Sequence, residues 1–395
     1  MPWKELSIVN QRLDFVVRSF ANDQSFSDLC REFGISTKTG YKWKERFLQK
    51  GIPGLSDKSR RPKGSPNKLP EEVVCEIIRI KNMKKNWGPK KIRDVYERNH
   101  PQERIPSRST FGRIFDAAGF TVKRRTPRYS IPERIQNRII PHAPNDLWTV
   151  DFKGWWYTPN REKCEPLTVR DEYSKFIFSI KILKKADITS VKREFERLFK
   201  VYGLPKTIRS DNGPPFASSH SILGLTKLSV WWIALGIQLD RIDPASPYQN
   251  GAHERMHLDI KNELERKVNG DLKFHQHVFD VWKEEFNTER PHESLAMKTP
   301  ASVYRKSDRK FKGTDYEIQY PRGYRTRRVD DRGSLHYKGH RVFVSNAFAG
   351  QLVGLHDKGR SVVEVLFSKI IIGTFDLKLF IFNSILSREH QRKCR

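Results

Sequence analysis

Apolar residues recur at helical spacing over the first fifty positions. QRLDFVVRSFAND predicts one helix, and SFSDLCREFGISTKTGYKWKERFLQKG predicts two more. Ser25 is placed to cap the first of that pair and Ser36 or Thr37 the next, with Gly34 at the turn and Gly51 at the stop. Phe26, Leu29, Phe33, Tyr41 and Phe47 form the expected buried side. The period returns over 71–125, where EEVVCEIIRIKN, WGPKKIRDVYERN with Pro89 at its start, and IPSRSTFGRIFDAAGF with Ser107 as cap predict three further helices. Between 145 and 305 the pattern shortens to strand-like runs: LWTVDFKGWW, EPLTVRDEYS and KFIFSIKIL. A helix (DITSVKREFERLFKVYG), a strand (KTIRSDNG), a helix (ILGLTKLSVWWIALG), a strand (IQLDRID) and closing helices follow. From 318 to 382, short strands with glycine-containing turns predict a small all-β barrel.

The expected organisation is multidomain. An all-α helix-turn-helix unit spans 1–55, a basic Pro/Gly/Ser-rich linker 56–70, and a second helix-turn-helix-like unit 71–125. A basic connector covers 126–144, an α/β core 145–305, the barrel 318–382, and a tail expected to be disordered 383–395. No apolar run is long enough for a membrane helix, and the N-terminus lacks a signal-peptide layout, so a cytoplasmic protein is expected. Cysteines 30, 75, 164 and 394 have no paired spacing, which gives no sign of a disulfide framework or zinc ribbon.

Charge adds direction. The net charge is +29, and it is uneven: 31 Lys/Arg against 15 Asp/Glu over 1–140, 24 against 22 over 141–300, and 20 against 9 over 301–395. Two basic ends around a near-neutral centre call for a polyanion, and nucleic acid fits better than lipid because no basic amphipathic helix stands out. Lys38, Lys42, Lys44 and Arg46 on the third helix, Arg108 and Arg113 on the sixth, and Arg124 and Arg125 beyond it are the candidate DNA contacts.

Three acids then matter together. Asp151 lies inside a predicted strand with Thr149 and Lys153 on its face, Asp211 ends another strand, and Glu254 begins a helix. Singly, an acid before Asn-Gly is a turn residue and one in a first helical turn a dipole partner. Converging, the three make a hard-oxygen site for Mg²⁺ or Mn²⁺, and two such ions about 4 Å apart serve in-line displacement at phosphorus.

The blocks NDLWTVDFKG, IRSDNGPPF, SPYQNGAHERMHLDIK and FNTERPHESLAMKTPASVY occur in one order. They resemble the integrase catalytic core of the retroviral-integrase-like superfamily and, more narrowly, the DDE transposases of bacterial insertion sequences. The resemblance spans about residues 10–305. It implies an RNase H-like fold with Asp151, Asp211 and Glu254 as the catalytic, metal-binding triad. It also implies that Lys261, two helical turns past Glu254, contacts DNA. Pro247, Asn250 and Gly251 shape the start of that helix. His253 and His257 are given no chemical role.

Two features depart from the retroviral pattern. The 43 positions from Asp211 to Glu254 are longer, with the excess around SILGLTKLSVWW, and helix-turn-helix units stand where a zinc domain would be. The activity implied is binding of an element's terminal inverted repeats in double-stranded DNA, metal-dependent hydrolysis at its 3′ ends and strand transfer to target DNA. A homo-oligomer assembled on DNA, nucleoid-associated in a bacterium, goes with it. The alternatives are a DNA-binding regulator or inactive copy derived from a transposase and, more remotely, a simple RNase H-like nuclease.

Overall fold

The computed structural model describes residues 7–21, 23–58, 68–121, 139–218, 221–242, 250–265, 268–313, 316–359 and 361–385. They fall into two compact units, Met1–Glu71 and Glu72–Arg395. Arg124, Arg125, Pro247, and most of the linker, connector and tail lie outside the described residues. No helix among the described residues is long and apolar enough to cross a membrane.

The first unit contains α1 (Ile8–Ala21), α2 (Phe26–Glu32), α3 (Thr37–Lys50) and a 3₁₀ turn at Ile52–Leu55. Ser25 accepts from the Asp28 amide and Ser36 from the Thr39 amide, so Ser36 rather than Thr37 is the second cap. Phe15, Val16, Leu29, Cys30, Trp43 and Leu55 form the core. Tyr41, expected inside, is 60% exposed and stacks on Phe26 at 4.3 Å, while Trp43 takes the buried position. The cause is Gly40. A side chain there would come within 2.7 Å of Cys30 Sγ, so α3 lies close against α2 along its Gly40–Trp43 face.

The second unit opens with α4 (Glu71–Met83), α5 (Pro89–Asn99) and α6 (Arg108–Ala117), packed on Ile77, Ile80, Trp87, Ile92, Tyr96 and Phe111. Ser107 caps α6 through the Thr110 amide.

Beyond them stands the sheet that positions the acids. β1 (Leu147–Phe152), β4 (Pro166–Asp171), β5 (Ile177–Ile182), β6 (Thr207–Ser210) and β7 (Gln238–Arg241) lie in the order β5-β4-β1-β6-β7. The β5-β4-β1 side is antiparallel and the β1-β6-β7 side parallel. The expected first strand, LWTVDFKGWW, is divided: its end joins a small hairpin of β2 (Trp156–Tyr157) and β3 (Lys163–Cys164).

Helices cover both faces. On one, Trp148 and Val150 of β1 pack with α7 (Ile188–Tyr202) and α8 (Lys227–Ala234) through Phe195, Phe199, Trp231 and Trp232. On the other, Ile177 and Ile180 meet α9 (Gly251–Glu263) and α10 (Leu272–Thr288) through Met256, Ile260, Phe279 and Trp282. Gln276 and Asn287 of α10 bond the outer backbone of β5, so this sheet edge is not open to a further strand. A short α11 (Pro300–Val303) follows.

The long segment between Asp211 and Glu254 is only partly helical. The predicted helix over 222–236 breaks at Leu223, φ +54°, into a 3₁₀ turn and α8, which a Thr226–Ser229 capping box starts afresh. α8 is apolar on all sides because it is covered on all sides. Trp231 and Trp232 face the sheet, while Val230 and Ile233 join the core of the C-terminal β region.

That region is all-β. β8 (Arg325–Arg328), β11 (Leu352–Asp357), β12 (Val362–Phe367), β13 (Ile370–Asp376) and β14 (Ile381–Ser384) form an antiparallel sheet ordered β14-β13-β12-β11-β8. A hairpin of β9 (Ser334–Tyr337) and β10 (His340–Phe343) lies against both outer strands, β8 and β14. The ring is thus completed by packing, with no hydrogen-bonded ladder closing it among the described residues. Its strands begin at Arg325, not near 318.

Candidate active site

The fold places Asp151 within reach of the charges of Asp211 and Glu254. β1 and β6 pair in parallel with Thr149 beside Arg209, and two residues further along each chain stand Asp151 and Asp211. Glu254 is in the first turn of α9, exposed on the same side. Burial pushes the Asp151 carboxyl up to about 7; the charge of Asp211 adds to this, the Phe152 amide opposes it, and Glu254 adds a smaller rise. Asp211 is raised by burial too, against a hydrogen bond from the Gly213 amide. A side chain at Gly213 would lie 2.9 Å from Asp211 Oδ2 and would push that carboxylate aside. Arg209 does not neutralise the acids, because its guanidinium holds Asp240 on β7 at 2.6 Å.

Alternate residues of β1 and the chain just beyond it face α9 and the residues just after it, as the two-residue period of a strand allows. Thr149 meets His253 Nδ1 at 2.7 Å, Asp151 Oδ2 lies 3.9 Å from His257 Nδ1, and Lys153 pairs with Glu265 at 3.0 Å. From β4, the Thr168 hydroxyl donates to the Asp151 carbonyl at 2.9 Å and lies 2.7 and 2.8 Å from the Nε2 atoms of His253 and His257. Buried Arg170 donates to the Ala252 carbonyl at 2.6 Å. Asn250 occupies the N-cap of α9 but makes no side-chain cap bond, so the helix start is held from β4 instead. Burial holds the His253 imidazole well below its ordinary range and lowers His257 to about 3, with Lys153 and Arg170 adding to the latter. Both rings are therefore neutral at pH 7.

The donor set fits a divalent cation. The three acids supply only carboxylate oxygens, which suit Mg²⁺ and Mn²⁺. Asp211 Oδ1 is buried without a hydrogen-bond partner among the described residues, which costs free energy unless a cation or water meets it. Burial first, then the neighbouring charges of Asp211 and Glu254, raise the Asp151 carboxyl, and a bound cation would offset those charges.

The basic candidates divide by environment. Lys261 is exposed on α9 two turns beyond Glu254. Lys38 and Lys42 on α3 and Arg108 and Arg113 on α6 are exposed. Lys44 is turned inward: its ammonium donates to the Ser19 carbonyl at 3.1 Å and sits over the Phe20 ring. Arg46 is half-buried against Trp43. β8 exposes Arg325, Arg327 and Arg328 along one edge, a cluster the sequence reading did not single out. Nor did it find Thr168, or a role for His253 and His257. The i, i+4 spacing of the two histidines around Glu254 is visible in the chain, but their meeting with Thr168 depends on a strand 85 residues away.

Comparisons with known proteins follow this division. Integrase core domain families match residues 141–247 and 235–300. A helix-turn-helix domain matches 11–63, a homeodomain-like domain 39–115, and the IS481 family transposase C-terminal domain 324–379. An uncharacterized 31.7 kDa protein of insertion element IS407 from Burkholderia multivorans is 26% identical over 252 residues, covering 63% of this chain and 87% of that protein. An uncharacterized 39.2 kDa protein of insertion element IS476 from Xanthomonas euvesicatoria is 25% identical over 252 residues, covering 63% and 69%. Among solved structures, the HTLV-2 integrase catalytic core domain in complex with magnesium aligns at 20% identity over 42% of this chain and 99% of that one, with a TM-score of 0.33, too low to carry weight.

Proposed function

We propose that this chain, a transposase of the integrase-core kind found in insertion elements, binds the terminal inverted repeats of its element, hydrolyses a phosphodiester at each 3′ end and joins the freed ends to target DNA. The observation that supports the reading is the nearness of Asp211 and Glu254 to Asp151 beyond the ends of the parallel pair β1 and β6, close enough that each neighbour's charge raises Asp151. The three carboxylates would hold one or two Mg²⁺ or Mn²⁺ ions. When bound, the metal supplies activation of the attacking oxygen and stabilisation of the leaving oxygen.

The protein's own part is positioning. Asp151 lies in β1 and Asp211 directly follows β6, while α9, which carries Glu254, is tied to β4 by the Thr168–His253 and Arg170–Ala252 bonds. Lys261, exposed along the same helix, is placed to hold a phosphate of the bound DNA. No side chain need serve as nucleophile: water attacks in the first step and a DNA 3′-hydroxyl in the second. The bond to the leaving 3′-oxygen breaks as the new P–O bond forms. Exposed cations on α3 and α6 would read the element ends in major grooves, and the arginines of β8 would hold DNA backbone. Since two ends must react together, the working form is an oligomer assembled on DNA.

The test is a cleavage assay on labelled DNA from the flanks of the gene, with Mg²⁺, comparing wild type and Glu254→Gln. Nicking at the 3′ ends by wild type alone, with both proteins binding the flanks, is expected. Binding by both with cutting by neither would favour a DNA-binding regulator instead.

A further inference from the structure

The Thr168 hydroxyl settles the protonation of both histidines. It has one proton, which goes to the Asp151 carbonyl at 2.9 Å. Its oxygen also lies 2.7 Å from His253 Nε2 and 2.8 Å from His257 Nε2. With the hydroxyl proton spent, both imidazoles must donate there through Nε2–H. Each neutral ring then has a bare Nδ1. For His253 this nitrogen accepts from the Thr149 hydroxyl at 2.7 Å, so the ring is fully used. For His257 no donor among the described residues reaches Nδ1. It lies 3.9 Å from Asp151 Oδ2, so once Asp151 is ionised two unpaired acceptors stand side by side.

Such a pair calls for a cation. The ligand atoms of Asp151, His253 and His257 lie within 4.8 Å of one another. His253 is excluded by its two hydrogen bonds, which leaves His257. We propose that His257 is a ligand, through Nδ1, of the divalent ion held by Asp151, with Thr168 as the acceptor that fixes the ring. This rests on the metal-site reading above and extends it from three carboxylates to a mixed oxygen–nitrogen set. The arrangement follows a general feature of metal-binding histidines, which donate their second N–H to a fixed acceptor. A neutral ring keeps the ligating lone pair available, and the Nε2–H given to Thr168 leaves Nδ1 bare. An imidazole ligand also changes ion preference, favouring first-row transition ions such as Mn²⁺ over Mg²⁺.

The experiment uses full-length, metal-free protein titrated with Mn²⁺ and read by pulsed electron paramagnetic resonance, which detects nitrogen bound directly to the ion. Wild type, His257→Asn and Asp151→Asn are compared. Wild type is expected to show a directly bound nitrogen that His257→Asn lacks. Mn²⁺ affinity in His257→Asn is expected to fall roughly tenfold, and Mg²⁺ affinity much less. Mn²⁺ that binds wild type and is lost in Asp151→Asn, but shows no nitrogen, would overturn the His257 assignment and leave the carboxylate site standing. A nitrogen signal that persists in His257→Asn would overturn it equally. If Mn²⁺ binds wild type no better than Asp151→Asn, the metal-site reading itself falls, and this inference with it. A wild-type spectrum without directly bound nitrogen overturns the assignment even if a variant folds poorly.

Discussion

Asp151 on β1 and Asp211 just past the end of β6 each lie two residues beyond the Thr149–Arg209 pair of these parallel strands. Parallel pairing with this register is what turns two distant acids into neighbours, and it leaves their charges uncompensated by Arg209, which is held by Asp240. Burial, with repulsion from Asp211 added to it, raises Asp151 to about 7, so the site is strained whenever it is both ionised and metal-free.

Stability should therefore depend on pH at this site. The folded Asp151 holds its proton up to about pH 7, while the unfolded carboxyl loses it near its ordinary value of 3.8. Between those values the folded state binds more protons, so this group's contribution falls as pH rises. Asp151→Asn removes the penalty. At pH 8 with chelator, the variant should be more stable than wild type by about 1–2 kcal/mol, reduced from the unscreened figure because the side chain is 27% exposed. At pH 4 the difference should vanish. Addition of Mg²⁺ should raise the melting temperature of wild type and not of the variant. Equal stabilities at pH 8 would remove the strain argument.

Thr168 should matter more than an ordinary strand threonine. Thr168→Val keeps the shape but leaves the buried Nε2–H of His253 and the Asp151 carbonyl without their partner. A loss of about 2–4 kcal/mol in urea unfolding is expected, with Thr168→Ser restoring most of it. A change within about 0.5 kcal/mol, the size usual for surface substitutions, would mean the hub carries no load.

The cations of α3 should separate into two kinds. Lys38→Ala should weaken DNA binding, lower the log-affinity versus log-salt slope by about one, and leave the melting temperature unchanged. Lys44→Ala should cost about 1 kcal/mol of stability, because its ammonium is bound to Ser19 and over Phe20. A Lys44→Ala protein with unaltered stability and a reduced salt slope would show that the side chain faces DNA after all.

Local signals were well expressed in the chain, and long-range ones were not. Ser25, Ser36 and Ser107 were legible as caps because a cap needs only its next three residues. The face of α3 was misread at Tyr41, since Gly40 sets how closely α3 approaches α2, and a missing side chain gives no periodic signal. The run from Ile222 to Gly236 reads as one amphipathic-free helix. Nothing local shows that Val230 and Ile233 face the C-terminal β region while Trp231 and Trp232 face the sheet. Asp151 and Asp211 could be placed at strand positions from sequence, but the Thr168–His253–His257 hub required the pairing of β1 with β4.

The most direct measurement bypasses end recognition and cleavage. Precut element ends bearing a free 3′-hydroxyl are mixed with target DNA and Mg²⁺, and joined product is measured for wild type, Asp151→Asn, Asp211→Asn and Glu254→Gln. The account predicts joining by wild type alone, lost on chelation and restored by Mg²⁺ or Mn²⁺, with all four proteins still binding the ends. Joining that survives in any of the three variants, or that needs no divalent ion, would contradict it.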